Sequence, residues 1–256
     1  MKAFWLALAL CGLALPVCGQ VGGATAPEFL IDFSHPGLSP SHWTLTLRPD
    51  GSGHFRSERG SVRGQGSQGI DAPDVDRDIQ VSAEFAERVF ETARRHKLSS
   101  SDCDSHLKVA FQGWKKLRLS GPDGEWDCEF NYSKDKEIQA LADSLMAVAG
   151  TIVEGARMEV LLQHDRLGLD RETEYLVAAA GDGRVQQIGA IRGILEQLAE
   201  DSEVMERVRK RAKLLLGMAG NKDQGPRNHD ETASEGKQIQ FENLSGLCWT
   251  QLRLVA

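Results

Sequence analysis

No apolar run in this 256-residue chain reaches the ~20 residues needed to cross a bilayer, so no spanning segment is expected. A basic excess is also missing. The formal net charge is −7 and the pI about 5.6, so phosphate backbones and anionic lipid are not expected as general partners. Aromatic residues are sparse at 6%, although the 41% hydrophobic content is enough to build a core. The sequence lacks a Gly-x-Ser-x-Gly elbow, a His-Glu-x-x-His helix and a phosphate loop. It also has no Gly-x-Gly-x-x-Gly turn leading from a strand into a helix. These gaps remove the commonest hydrolase, metalloprotease and nucleotide-binding readings, and no cofactor is indicated.

Among the features present, the N-terminus is the most telling. Lys2 is the only charge before Glu28, and Phe4 to Val17 is almost wholly apolar. A short positive region followed by an apolar stretch of this length reads as a signal peptide. Pro16 ends the helical part, and cleavage after Gly19 leaves Gln20 as the new N-terminus. Residues 1–19 are therefore expected to be a leader, and the mature chain is expected to be exported, periplasmic or extracellular, with no stable membrane span. A second reading places Cys18 as the lipidated cysteine of a lipobox, which would leave the protein anchored to a membrane.

Export bears on the cysteines. Cys103, Cys128 and Cys248 lie beyond the leader, and an oxidising compartment favours pairing. Cys103 and Cys128 fall in one predicted compact region, so they are the expected disulfide, leaving one thiol over.

The expected fold class is α+β. Residues 20–133 are predicted to form a small antiparallel sheet, a hairpin plus a three-stranded meander, with one packing helix. The leader continues to residue 28. Trp43, Leu45 and Leu47 alternate on one strand, Pro49-Asp50-Gly51 supplies turn chemistry, and Gly53–Arg56 returns. Arg59–Gly69 is a glycine-rich loop and Asp71–Asp78 an acidic one. Ser82 caps a helix from Ala83 to about His96, with Phe85, Val89, Phe90 and Ala93 on its buried face. The meander strands are His106–Phe111, Trp114–Leu119 and Trp126–Tyr132. Alternation with polar neighbours places Trp43, Trp114 and Trp126 toward the core, whereas a shared open face would make them a binding platform.

From residue 134 the period lengthens, and 134–219 is expected to hold about four helices. Ile138, Leu141, Leu145, Val148 and Ile152 stripe a long first helix ending near Gln163. Three shorter ones follow over 170–180, 185–199 and from Val204 to Leu215. Residues 220–237 are polar and aperiodic, so they are expected to be disordered, and 241–256 form an apolar tail.

Candidate chemistry is thin. Asp102-Cys103-Asp104-Ser105-His106 concentrates metal-capable groups, but no second cluster completes a zinc site. Asp74, Asp76 and Asp78 resemble a calcium loop until Ile79 and Phe85 occupy the positions that need glycine and a bidentate acid. His164 and Arg166 close the long helix, and the basic run Arg207, Arg209, Lys210, Arg211 and Lys213 is assigned to the last helix's C-terminal partial charge. The expectation is a non-catalytic binding or interaction module of the cell envelope, with a protein or other envelope component as partner. Two alternatives stand beside it. One is a secreted hydrolase using Asp102, Asp104, His106 or His164, and the other a lipid-anchored structural protein.

Overall fold

The computed structural model describes residues 26–60, 72–96, 103–122 and 124–220. Residues 1–25 with Cys18, residues 61–69 of the glycine-rich loop, Asp102, the polar segment from 221 to 237 and the C-terminal tail lie outside them. The protein is α+β. Six antiparallel strands form one sheet: β1 (Glu28–Ser34), β2 (His42–Leu47), β3 (Ser52–Glu58), β4 (Val75–Gln80), β5 (Trp114–Gly121) and β6 (Gly124–Phe130). Their order across the sheet is β4-β3-β2-β1-β5-β6. The helices are α1 (Ala83–His96), α2 (Lys136–His164), α3 (Gly168–Gly181), α4 (Arg192–Glu200) and α5 (Glu206–Gly220), with a 3-10 turn at Ile188–Ile191.

Strand alternation sorts the side chains into two faces. Three rows cross the inner face. Phe33 pairs with Trp43 and Lys115, Ile31 with Leu45 and Leu117, and Phe29 with Leu47 and Leu119. Beyond β5 the rows continue to Phe130, Cys128 and Trp126. These side chains pack with Phe85, Val89 and Phe90 of α1 and the N-terminal half of α2 in one hydrophobic cluster. The outer face is polar, and acids occupy both edges: Asp76 and Asp78 on β4, Glu125, Asp127 and Glu129 on β6. Charged edges discourage pairing with another chain.

Two expectations about the sheet are corrected. The central strand β1 was not foreseen, and Glu28, assigned to the leader, begins it. The acidic loop at 74–78 is the edge strand β4, with Val75 and Ile79 inward. Between them Arg77 also leaves the open face, and it meets Glu159 of α2 in a bidentate pair at 2.8 and 2.7 Å.

α2 serves two cores. Ile138 through Ala156 join the sheet cluster, whereas Met158, Leu161 and Leu162 join α3, α4 and α5 in a second one. Asp135 caps its start, accepting from Glu137 N at 2.8 Å and Ile138 N at 3.3 Å. At Gly155 an added Cβ would collide with Ile191, so the bare backbone lets the 3-10 turn press against α2. That turn shortens the helix expected from residue 185.

The basic run is also reassigned. Its residues lie in the first two-thirds of α5, too early for the C-terminal partial charge. Arg207 and Arg211 instead reach Asp170 of α3 at 2.6 and 2.7 Å. Arg166 does satisfy the α2 C-terminus, donating to Leu162 O at 3.3 Å.

Candidate functional site

The residues between Cys103 and β5 form an arch at one end of the sheet. Their alternation, Leu107, Val109, Phe111, was expected to make a strand, but this segment pairs with no strand among the described residues. It is anchored at both ends instead. Cys103 and Cys128 stand at disulfide-bonding distance, with Cα atoms 5.8 Å apart. One residue on, Asp104 bridges to Ser133, and Ser105 N donates to Tyr132 O at 2.9 Å. At the far end Asn131 Oδ1 accepts from Gln112 N at 2.7 Å, and Asn131 Nδ2 donates to Ala110 O at 3.3 Å.

Gly113 closes the arch. Its φ of +99° lies in the region that favours glycine, and a Cβ there would strike the Phe33 ring. Gly113→Ala is expected to lower unfolding stability by about 2 kcal/mol through strain and overpacking. Urea denaturation of the two proteins checks this, and equal midpoints would contradict it.

Held this way, every residue from 106 to 112 is exposed. Leu107 is 63% exposed, Val109 39%, Phe111 45% and Trp114 46%. Phe111 packs at a tilt against His35 with ring centroids 5.0 Å apart and meets Trp114 edge-on at 6.1 Å. The four exposed apolar side chains, spaced from 107 to 114, are here called the ridge. Strand parity explains Trp114. Lys115, Leu117 and Leu119 point inward, so Trp114 goes outward with Lys116 and Arg118. Its expected core placement is thus corrected, while Trp43 is buried and Trp126 packs on the core.

Directly behind the ridge, Lys115 is buried. Its ammonium donates to Asn131 O at 2.8 Å and lies over the Phe130 ring. Burial pushes its pKa below the usual lysine value, and burial pushes that of Asp143 up. The amine thus supports the same turn that Asn131 organises.

Of the proposed hydrolytic residues, Asp104 and His106 are neighbours, with His106 Nδ1 3.7 Å from Asp104 Oδ1, and His164 is not brought to them. Asp104 accepts from His106 N at 2.6 Å and Asn131 N at 3.1 Å. The first of these bonds holds its carboxyl below the usual range, so it acts as a turn clamp. His106 is 84% exposed at the side chain. His164 ends α2, whereas Asp104 bridges to Ser133 just ahead of that helix's start. A 29-residue helix is about 44 Å long, which separates the two groups.

Elsewhere, histidines sit between acids on the outer face. His54 lies 2.9 Å from both Asp76 and Asp78, and His42 lies 2.9 Å from Asp32. Buried Ser57 is on the other face, beyond either ring's reach. Among the described residues no group of three His, Cys, Asp or Glu side chains is arranged to hold a metal ion. An open groove of about 620 Å³ runs along the end of α2 and α4, lined by Glu159, Gln163, Arg166, Gln197 and Asp201 among others. It pairs no nucleophile with a base among the described residues.

The ridge is therefore the candidate site. No family model and no curated protein matches the chain. The signal sequence reasoning missed was strand parity: counting back from Leu119 and Leu117 puts Trp114 on the open side, next to the alternating 107–111 segment.

Proposed function

We propose that the protein is an exported, non-catalytic binding module of the cell envelope that engages its partner through the Leu107–Trp114 ridge. The observation that carries this reading is the ridge itself. Four apolar side chains stand exposed on an arch anchored by a cysteine pair, a backbone bridge and the Asn131 bonds. Contiguous exposed apolar groups mark interaction sites, and a preorganised arch loses little conformational entropy on binding. Two further observations support export: the apolar leader at 4–17 and the cysteine pair, which suits an oxidising compartment. No helix among the described residues is long and apolar enough to cross a membrane.

A photo-crosslinking residue placed at Phe111 tests the reading in envelope fractions. Discrete adducts are expected there and not from the same probe at Leu214, an exposed apolar position on α5. Equal labelling from both sites would sink it. So would hydrolysis of an envelope substrate that Asp104→Asn or His106→Ala abolishes.

A further inference from the structure

We infer that the contact between α2 and α3 is a pH-operated joint, in which one proton between Glu154 and Glu172 keeps α3 seated and its loss lets α3 open. The residue pattern of α3 is the first argument. Its buried positions are Leu169, Glu172, Thr173, Leu176 and Ala179, so an acid occupies the middle of the stripe that attaches the helix. Thr173 Oγ1 donates back to Leu169 O at 2.8 Å and is satisfied within its own helix. Glu172 instead meets α2, which supplies Glu154 and Arg157 one turn apart. Arg157 Nη1 is 2.9 Å from Glu154 Oε1 and 3.7 Å from Glu172 Oε2, and both carboxylate side chains are largely buried. One guanidinium thus serves two covered acids, and its Nε is itself buried without a hydrogen-bond partner among the described residues. Two ionised carboxylates leave an excess negative charge out of water. A proton on Glu154 completes a hydrogen bond with Glu172 and removes that excess.

The surrounding charged groups are the second argument, because none takes over this role. Arg171 lies 3.2 Å from Glu172 but is 62% exposed, so water screens it. Tyr175 has the Arg184 guanidinium over its ring, and Arg184 is paired with Asp182. Burial and the nearness of Glu154 raise the Tyr175 pKa, so the phenol keeps its proton around neutrality. The 3-10 turn presents Ile191 to Gly155 of α2 and carries no charged residue. Arg192 and Glu196 of α4 pair with each other, and Glu159, further along α2, is held by Arg77 of β4. Asp170 with Arg207 and Arg211, and Glu174 with Arg211, tie α3 to α5 and not to α2. Glu154 is left to respond near neutrality: burial pushes its carboxyl up to about 7, with Glu172 adding to the rise against the pull of Arg157.

In the seated state Glu154 is protonated, Glu172 and Arg157 offset one another, and Leu169, Leu176 and Ala179 fill the second core. As pH rises the proton passes to water and a second charge is left covered. Opening of α3 relieves it by returning both acids to solvent and uncovers the apolar stripe. A carboxyl that titrates at about 7 when covered and at an ordinary 4.5 when open favours the open state at high pH. Between pH 6 and 8 the open fraction is expected to rise about tenfold. A 14-residue helix has little stability of its own, so opening registers as exchange of its amides. The joint does not depend on the ridge.

The test is amide exchange of the full chain at pH 6 and pH 8, corrected for intrinsic base catalysis. Central α3 amides should exchange faster than those of β1 at both values, and about tenfold faster at pH 8 than at pH 6. Glu154→Gln keeps the size and the bond to Glu172 but cannot ionise, so it should hold α3 seated at both values. His54→Gln, on the open face of the sheet, should leave the α3 response as it is in the parent. Carbon-detected NMR of the parent should place one glutamate carboxyl near 7, and that resonance should be missing from Glu154→Gln. The inference is overturned by a pH-independent α3, by a Glu154→Gln protein that keeps the tenfold response, or by a response that vanishes with His54→Gln. It is overturned as well if no glutamate titrates near 7, a result read on the parent whether or not the variants fold. Equal exchange of α3 and β1 at pH 8 also overturns it, because the opening is then that of the whole fold.

Discussion

Replacing Arg157 with methionine is expected to cost about 3–5 kcal/mol of stability at pH 8 and much less at pH 5. Arg157 lies between two carboxylates at the interface of α2 and α3. Its Nη1 is 2.9 Å from Glu154 Oε1 and 3.7 Å from Glu172 Oε2, and the two carboxylate side chains are only 12% and 10% exposed. Burial pushes the Glu154 carboxyl up to about 7, with Glu172 adding to the rise against the opposing pull of Arg157. Without the guanidinium, two partly dehydrated acids face each other, with Arg171 at 3.2 Å from Glu172 as the remaining neighbouring cation. An uncompensated buried charge accounts for most of the cost. At pH 5 Glu154 is protonated in the folded protein, so the charge and its penalty largely vanish. Urea unfolding at the two pH values reads the difference, and a loss independent of pH would show that Arg157 contributes packing rather than charge. Adding Glu154→Gln to the methionine variant should recover most of the deficit at pH 8.

The same carboxyl sets a direction for the parent protein. A folded pKa near 7 against an ordinary 4.5 means the native state holds a proton the unfolded chain releases. That contribution is complete below about pH 4.5 and is lost as pH rises through 7. His54 acts in the same sense. The bond to Asp78 raises its pKa above 6.5, so its contribution is present below 6.5 and lost above the raised value. Asp104 acts in the opposite sense: its lowered pKa stabilises the fold above 3.8, and that is lost as pH falls through the folded value. Stability should therefore peak at mildly acidic pH.

Much of the architecture is legible from local pattern. The β2–β3 hairpin, the capped α1, the β5–β6 pair and the long α2 each follow from period and punctuation. β1 was equally periodic, since Phe29, Ile31 and Phe33 alternate with Leu30, Asp32 and Ser34, but it follows the leader without a turn signal. Its second partner, β5, lies more than 80 residues away, at a distance no local pattern shows. β4 was hidden by chemistry. Its acids face solvent and its inward Arg77 breaks the apolar row, and the partner that makes Arg77 tolerable is Glu159. The reverse failure occurs at 106–111, where strand-like alternation exists without a strand. Asn131 and Gly113 turn that segment away from the sheet, and Leu107, Val109 and Phe111 stay exposed. The basic run on α5 has a similar cause, because Asp170 on another helix defines its role. The apparent site residues Asp104 and His106 were singled out by composition, and hydrogen bonding shows one to be a clamp and the other a solvent-facing side chain.

Removing the Cys103–Cys128 link should lower the thermal midpoint by roughly 10 °C. The two residues are 25 apart in sequence. Closing a loop of that length in the unfolded chain corresponds to about 3.5 kcal/mol on a chain-entropy model, and 1 kcal/mol moves the midpoint by roughly 2–4 °C at this size. The native side adds to the loss, since both cysteines are buried, Cys128 in the central inner row of the sheet beside Leu117. Cys103→Ala and Cys128→Ala should each produce the shift, reductant should reproduce it in the parent, and Cys248→Ala should leave the midpoint unchanged. A parent indifferent to reductant would mean the two thiols are not joined. The ridge responds as well, because the link anchors the arch one residue before Asp104. Without it, Asp104, Asn131 and Gly113 hold the arch alone, and amide exchange at 106–112 should rise more than at the center of β1. A uniform rise across the sheet would instead make the link a global brace with no special part in shaping the binding surface.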